Sequence, residues 1–199
     1  DVERSRGLGD VYKRQQSLQN VLDVTVPLSA ATADEAYDRI ADQLATPELR
    51  PRALFERFGI EVLATTDDPL DDLAGHAALA AEGAVGRVLP TFRPDRYLDP
   101  DAAGFAQNVE RLVAETGSPG TFAGYLAALE QRRRYFIEHG AVSADHGVEV
   151  PDTLDLAPEE GEGLFARVVS GDADAGERHS FRAHMLLQMA RMSVDDGLV

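Results

Sequence analysis

Cysteine is absent from this 199-residue sequence. Its absence excludes disulfides, thiol nucleophiles and cysteine-ligated metal sites, and it is compatible with a reducing compartment, so we predict a cytoplasmic protein. Long apolar runs are missing too. No run approaches the roughly 18 apolar residues that a membrane-spanning helix needs. We therefore expect no transmembrane segment.

Basic residues are scarce, with 19 lysines and arginines against 35 aspartates and glutamates and a net charge of −16. Nucleic acids and anionic membranes are bound through basic surfaces, so we expect neither of them as a partner. A well-solvated surface is the simplest explanation of the acidity. An acidic protein can still bind an anionic small molecule if a few arginines are focused in one pocket.

Lysine occurs once, at Lys13, and the first fifteen residues differ from the rest of the chain. They show no apolar period, and they lack the apolar core of a secretory signal. We predict that residues 1–15 are a foreign leader or a natural disordered arm. Residues 16–199 are then one incomplete domain with helical insertions.

Helical patterns open this domain. Thr32 and Glu35 have the spacing of a capping box at the start of a helix within 27–45, with one apolar face. A short helix is predicted over 51–58, ended by Gly59.

Three apolar runs, at 60–66, 86–92 and 140–147, alternate with helical patterns at 70–82, 101–140 and 158–197. This alternation predicts βα units on a parallel sheet, in which the first run reads as a fully buried strand. We predict a partial (β/α)8 (TIM) barrel, rich in helix, with about three parallel strands. Leu198 and Val199 look like the start of a further strand.

Each predicted strand ends in polar residues, where active sites of α/β proteins lie. After the first strand, Asp67 suits metal binding, proton transfer or hydroxyl binding as well as a structural role. For the aspartates that follow, helix capping is favoured, with Pro69 at the first helical position. These capping residues are Asp68, Asp71 and Asp72.

Arg93 follows the second strand and could clamp a carboxylate through two hydrogen bonds, or pair with Asp95 instead. Asp145 and His146 end the third strand, and this histidine could shuttle a proton, bind metal or be structural. The other histidines form no H-x-H pair and are weak candidates. Arginines 132–134 are expected on a solvated or interface face.

Three segments together resemble uronate isomerase (glucuronate isomerase), a family of the amidohydrolase superfamily of (β/α)8 barrels. They are "ALFERFGIEVLATTDDPLDDLAGHAALA", "VLPTFRPDRYLDP" and "RRRYFIEHGAVSADHG". The resemblance implies an aldose–ketose isomerase that interconverts D-glucuronate with D-fructuronate, and D-galacturonate with D-tagaturonate. It implies a substrate-binding role for Arg93 and catalytic roles for Asp67, Asp145 and His146.

The family's zinc ligands, which are an H-x-H pair, a later histidine and an aspartate, have no match in this sequence. We therefore expect zinc in a full-length parent and no metal ligand in this chain. The chain is interpreted as an internal fragment, inactive and poorly soluble by itself. The resemblance allows a homo-oligomeric parent with a small-molecule uronate substrate. The alternatives are another metal-dependent hydrolase of the amidohydrolase type and a non-catalytic helical binding module.

Overall fold

The computed structural model describes residues 13–83, 86–148 and 150–199. It divides the chain into two compact units, Asp1–Glu61 and Val62–Val199. Residues 1–12 of the predicted leader lie outside the described residues, and residues 13–20 are helical. The predicted boundary after residue 15 therefore stays a prediction. Within the described part, no helix is both long and apolar enough to cross a membrane.

The first unit contains helix α1 (Ala33–Leu44), a 3-10 turn (Pro47–Leu49) and helix α2 (Pro51–Arg57). The predicted capping box is wrong, because the Thr32 hydroxyl donates to the Pro27 carbonyl instead of capping α1. The predicted apolar face of α1 is also largely exposed, with Tyr37 73% accessible. The prediction for α2 is confirmed, since Gly59 follows it with a φ of +58°.

The second unit alternates short strands with helices, as predicted. Its elements are β1 (Val62–Ala64), α3 (Ala74–Ala81), β2 (Arg87–Leu89), β3 (Thr91–Phe92), α4 (Asp95–Leu98), α5 (Phe105–Thr116), α6 (Phe122–Glu138), β4 (Ser143–Ala144), α7 (Pro158–Ser170) and α8 (Ala175–Asp196).

All strand pairs among the described residues are parallel, so the predicted α/β class is confirmed, whereas closure into a barrel stays a prediction. β1 pairs with β2 and β3 pairs with β4. The predicted second strand is divided at Pro90, because proline has no N–H to donate to a neighbouring strand. A bridge between Asp67 and Phe92 continues the pairing of the first strand past this break.

The first strand is exposed, which contradicts the expected full burial. Val62 and Leu63 are each 44% accessible. The reason is that the helical layer packs elsewhere: α6 covers β3, and α3 packs on β2. β-branched residues favour a strand, but they do not specify which strand the helices cover.

The core lies among α5, α6, α7 and α8, and it is dominated by aromatic rings. Tyr125 stacks on Phe165 with ring centroids 5.1 Å apart, and Phe105 meets Phe181 edge-on at 5.9 Å. Phe136 of α6 meets the ring of Phe92 in β3 edge-on at 5.2 Å. These contacts fix the strand ends to the helical layer.

Helix α3 begins at Ala74, four residues later than predicted, because the aspartates hold a turn instead of a helix start. Asp68 accepts a hydrogen bond from the Leu70 N–H, and Asp71 accepts one from the Leu73 N–H. Leu73 is fully buried with a φ of +52°. The aspartates therefore do cap backbone N–H groups, but Pro69 does not open the helix.

The expectation of a solvated or interface face at arginines 132–134 is wrong for Arg133. Arg133 is completely buried. Arg132 donates to the carbonyls of Pro69 and Asp71, and its guanidinium lies 4.1 Å from the centre of the Tyr135 ring. Arg134 alone of the three is exposed.

Candidate functional site at the strand ends

The carboxyl ends of β1, β3 and β4 lie side by side, because parallel strands end at the same edge of a sheet. The Arg93 N–H donates to the Asp67 carbonyl at 3.1 Å, and the Asp145 N–H donates to the Phe92 carbonyl at 3.0 Å. The sequence-predicted residues Asp67, Arg93, Asp145 and His146 are thereby brought to one edge.

Arg93 is held between two carboxylates. Its Nε donates to Asp95 Oδ2 at 2.8 Å, and its Nη1 lies 3.4 Å from Asp145 Oδ2. The pKa of Arg93 is raised mainly by Asp95, through its hydrogen bond and its charge, and also by the charge of Asp145. The guanidinium therefore stays charged. Its side chain is 41% accessible, which leaves N–H groups facing solvent for a ligand.

Asp95 joins the loop after β3 to the loop after β4, a role that the sequence analysis did not predict. Its Oδ1 accepts from the Gly147 N–H at 2.9 Å, while its Oδ2 binds Arg93. A Cβ on Gly147 would lie 2.9 Å from Asp95 Oδ2 and 3.4 Å from Arg93 Nη2. Glycine is therefore what lets the two loops approach.

His146 is partly buried, and its Nδ1 is enclosed without a hydrogen-bond partner among the described residues. Burial lowers its pKa. The charge of Arg133 also lowers it, whereas Asp95 and Asp145 oppose the change. The imidazole is consequently neutral at pH 7, the form that accepts a proton.

The Asp67 carboxylate holds the strand ends together. Its Oδ2 accepts from the Thr65 hydroxyl at 2.7 Å and from the Thr91 N–H at 3.1 Å. His76 lies beside this group, with Nε2 2.8 Å from Thr65 Oγ1. The sequence places His76 among the weak histidine candidates, although its position near the start of the helix after Asp67 is a usable signal.

Asp68 is fixed by a buried tyrosine. The Tyr97 hydroxyl donates to Asp68 Oδ1 at 2.7 Å, and Arg96 Nη1 lies 3.1 Å from Asp68 Oδ2. The pKa of Tyr97 is raised chiefly by burial and also by its hydrogen bond to Asp68. The Tyr125 hydroxyl in turn donates to the Tyr97 carbonyl at 2.6 Å. The contacts of Asp68 therefore support a structural role.

A cavity of about 420 Å³ opens at this edge, within the size range of small-molecule sites. Its polar walls include Asp67, Arg93, Asp95 and Gly147. A second cavity of about 410 Å³ lies beside His146 and reaches α8 at Arg182. Both are large enough to hold a monosaccharide.

The described residues do not fit a metal ion. Among residues 13–83, 86–148 and 150–199, no group of three or more histidines, aspartates and glutamates is placed to hold one.

The fold and the site define a class of protein: a parallel α/β domain that gathers charged side chains from successive strand ends. The particular family follows from comparison. The family model for glucuronate isomerase matches residues 11–199, and the chain belongs to this family.

Curated relatives of the chain support the same family assignment. The chain is 54% identical over 181 residues to the uronate isomerase of Rhizorhabdus wittichii and 51% identical over 172 residues to that of Rhizobium meliloti. These matches cover 90% and 86% of this chain, but 39% and 37% of the relatives. The chain thus spans about two fifths of the length of the curated relatives it matches.

Solved structures similar to the chain include the following two crystal structures. Glucuronate isomerase from Caulobacter crescentus matches with a TM-score of 0.85 at 42% identity, over 92% of this chain and 39% of that one. Uronate isomerase from Thermotoga maritima matches with a TM-score of 0.83 at 28% identity, over 92% of this chain and 40% of that one.

Proposed function

We propose that the strand-end site is part of a uronate isomerase that interconverts D-glucuronate with D-fructuronate, and D-galacturonate with D-tagaturonate. The activity is proposed for a complete enzyme built like the relatives, since this chain spans only part of their length. The observation that carries the proposal is the placement of Arg93, Asp145 and His146 at one strand edge, in a chain of this family.

Arg93 is proposed to bind the substrate carboxylate. A guanidinium has five N–H donors in a planar fork, and Asp95 occupies the Nε donor. The solvent-facing donors remain available for a carboxylate. The pairing with Asp95 and Asp145 fixes the guanidinium before the substrate arrives, which reduces the entropy lost on binding.

Asp145 and His146 are proposed to handle the proton. Isomerisation moves a proton between C2 and C1 through an enediol, so it needs a group that accepts the proton and returns it. The neutral imidazole of His146 can do this, and the half-exposed carboxylate of Asp145 lies next to the proposed carboxylate anchor at Arg93. A catalytic role for Asp67 stays a prediction, and its contacts with Thr65 and Thr91 support a positioning role.

The family is consistent with a metal-dependent enzyme. We propose zinc for the complete enzyme, held by residues outside the described part of this chain. For that complete enzyme we also propose a closed (β/α)8 barrel, a cytoplasmic location and assembly into homo-oligomers. Neither nucleic acid nor membrane is proposed as a partner, because the chain carries a net charge of −16.

The alternatives are less well supported. A non-catalytic, mostly helical binding module is less well supported because the glucuronate isomerase family model matches residues 11–199. No contact in the site favours a hydrolase of the amidohydrolase type over an isomerase, and the relatives are uronate isomerases.

The first test measures the binding of D-glucuronate to this chain, and 1H–15N NMR is used to detect it. We expect the ligand to shift the resonances of Arg93 Nε–H and the Gly147 N–H. Arg93→Lys should weaken binding by about tenfold, because lysine keeps the charge and loses the fork. Arg111→Lys is the matched control, since Arg111 pairs with Glu115 on the surface of α5. Equal Kd values for both variants, or equal shifts with D-glucose, would contradict the role of Arg93.

The second test concerns turnover. We expect this chain alone to convert no D-glucuronate, because its described residues include no metal-binding group. The measurement is 1H NMR of D-glucuronate incubated with the chain, with Arg93→Ala as the background control. Formation of D-fructuronate faster than in that control would show that the chain builds a working site.

A further inference from the structure

The two cavities at the strand ends share part of their walls, but different residues proposed to act on the substrate line them. Asp95, Asp99 and Gly147 line both cavities. Arg93 lines the cavity of about 420 Å³, whereas His146 lines the second cavity, of about 410 Å³. A substrate that is anchored at Arg93 and reacts at His146 must therefore extend from the first cavity into the second.

An open-chain uronate has the shape that this arrangement requires. Its carboxylate is C6, and the two carbons between which the proton moves, C1 and C2, are at the other end of the chain. When Arg93 binds the carboxylate, the C1–C2 end extends towards His146. The side chains that line the second cavity are therefore the ones available to the hydroxyl groups near the reacting carbons.

Arg182 of α8 lines the second cavity, and two carboxylates hold it in place. Its Nη1 donates to Asp99 Oδ1 at 2.9 Å and also to Asp101. The hydrogen bond from Arg182 is the first cause of the lowered pKa of Asp101, so both groups stay charged. No hydrogen bond joins Arg182 Nε or Nη2 to a described residue, and the side chain is 37% accessible. Donors on a fixed guanidinium are therefore free for a ligand.

The loop after β4 forms another wall of the second cavity, and contacts with α8 fix this loop. His179 Nε2 of α8 lies 3.1 Å from Oδ2 of Asp152, and both residues line the cavity. Two residues further on, the Leu154 N–H donates to the Ala183 carbonyl of α8 at 3.3 Å. Two elements that are joined by direct contacts therefore enclose the cavity.

The charges of the second cavity favour neutral hydroxyl groups over a second anion. Among the described residues that line it, one arginine and two histidines stand against four aspartates, which are Asp95, Asp99, Asp101 and Asp152. A carboxylate or phosphate beside Arg182 would also meet these like charges, which is unfavourable. A hydroxyl group, in contrast, accepts from a guanidinium and donates to a carboxylate. The cavity therefore suits a chain of hydroxyl groups.

We propose that Arg182 is a further substrate-binding residue, which donates hydrogen bonds to hydroxyl groups at the C1–C2 end of an open-chain uronate. The inference rests on the proposed function, because Arg93 is the group that binds the other end. It adds a second contact point, in the cavity that His146 lines.

The experiment measures binding of L-gulonate to this chain by NMR. L-gulonate is D-glucuronate reduced at C1, so it keeps the open chain, the carboxylate and the hydroxyl groups and cannot isomerise. Hexanoate is the matched probe, with the same number of carbons and the same charge but no hydroxyl group. L-gulonate should shift the Nε–H resonances of Arg93 and Arg182 and the ring resonances of His179. Hexanoate should shift the Arg93 resonance and leave the other two in place.

The decisive variant is Arg182→Met, which should weaken L-gulonate binding by about tenfold, because it removes hydrogen bonds from a charged donor. Arg178→Met is the matched control. Arg178 lies one turn earlier on α8 and donates to the same Asp101 at 2.6 Å, but it does not occur among the described residues that line the cavity. It should leave the Kd unchanged. Both arginines form partly exposed ion pairs, so the two variants should have similar urea midpoints.

The proposal is overturned if L-gulonate shifts neither Arg182 nor His179, or if the two variants have equal Kd values. Equal shifts of Arg182 with hexanoate would overturn the recognition of hydroxyl groups. If Arg182→Met does not fold, the Arg182 and His179 shifts in the unsubstituted chain decide. The outcome is separable from the proposed function: shifts at Arg93 alone retain the carboxylate anchor and exclude Arg182. Shifts at Arg182 and His179 alone support the role of Arg182 and contradict that of Arg93.

Discussion

Gly124→Ala is expected to destabilise the second unit by at least about 3 kcal/mol. Gly124 lies in the first turn of α6, and a Cβ at this position would stand 2.0 Å from the Pro119 carbonyl oxygen. The obstacle is backbone, so the helix or the preceding turn must move. Movement would also break the bond from the Gly124 N–H to Thr121 Oγ1, which caps the helix. Urea unfolding followed by circular dichroism measures the loss.

Gly75→Ala is the control for this experiment. Gly75 lies in α3, and a Cβ there would meet nothing within 4 Å. Alanine is the better helix former, so this substitution should stabilise the chain, by up to about 1 kcal/mol. Losses of similar size at both positions would show that the contact with Pro119 is not what requires glycine at position 124.

Phe136→Ala is expected to cost about 3–5 kcal/mol, the range for emptying a well-packed aromatic site. The Phe136 ring is fully buried and meets Phe92 edge-on, so its removal leaves a cavity directly behind the end of β3. The loss should appear in the urea midpoint. We also expect weaker binding of D-glucuronate, because Arg93 follows Phe92 in the chain.

Its neighbour Ile137 provides the comparison, being 36% accessible on the same helix. Ile137→Ala should cost less than about 1 kcal/mol, since its surface is only partly removed from water. Equal losses for the two substitutions would place the packing that supports β3 somewhere other than the Phe136 ring.

The helices were the most predictable part of the fold, because their apolar periods and stop signals are local. Helices α5 to α8 lie where the pattern placed them, and Gly59 ends α2 as expected. The parallel arrangement of the strands also followed from the alternation of strand and helix. The strand ends of the candidate site, with Arg93 and Asp145, could be named for the same reason.

The errors occurred where distant contacts override local pattern. The run 86–92 reads as one strand, but β2 pairs with β1, whereas β3 pairs with the distant β4. Asp68 reads as a helix cap, but Tyr97, 29 positions away in the chain, fixes it in a turn. Arg133 reads as a surface residue because its partner Asp196 is 63 positions away. Asp95 reads only as a partner for Arg93, because its second contact, with Gly147, is also non-local.

The register of β3 and β4 has a consequence for how the site forms. Thr91 lies opposite Ser143, 52 positions along the chain, whereas the helices between them are built from contacts close in sequence. Closing a loop of that length costs about 3.5 kcal/mol of chain entropy. The α5–α6 hairpin carries no comparable penalty. We therefore expect the strand edge that joins Arg93 to Asp145 to form late, after the helical layer on which its chemistry depends.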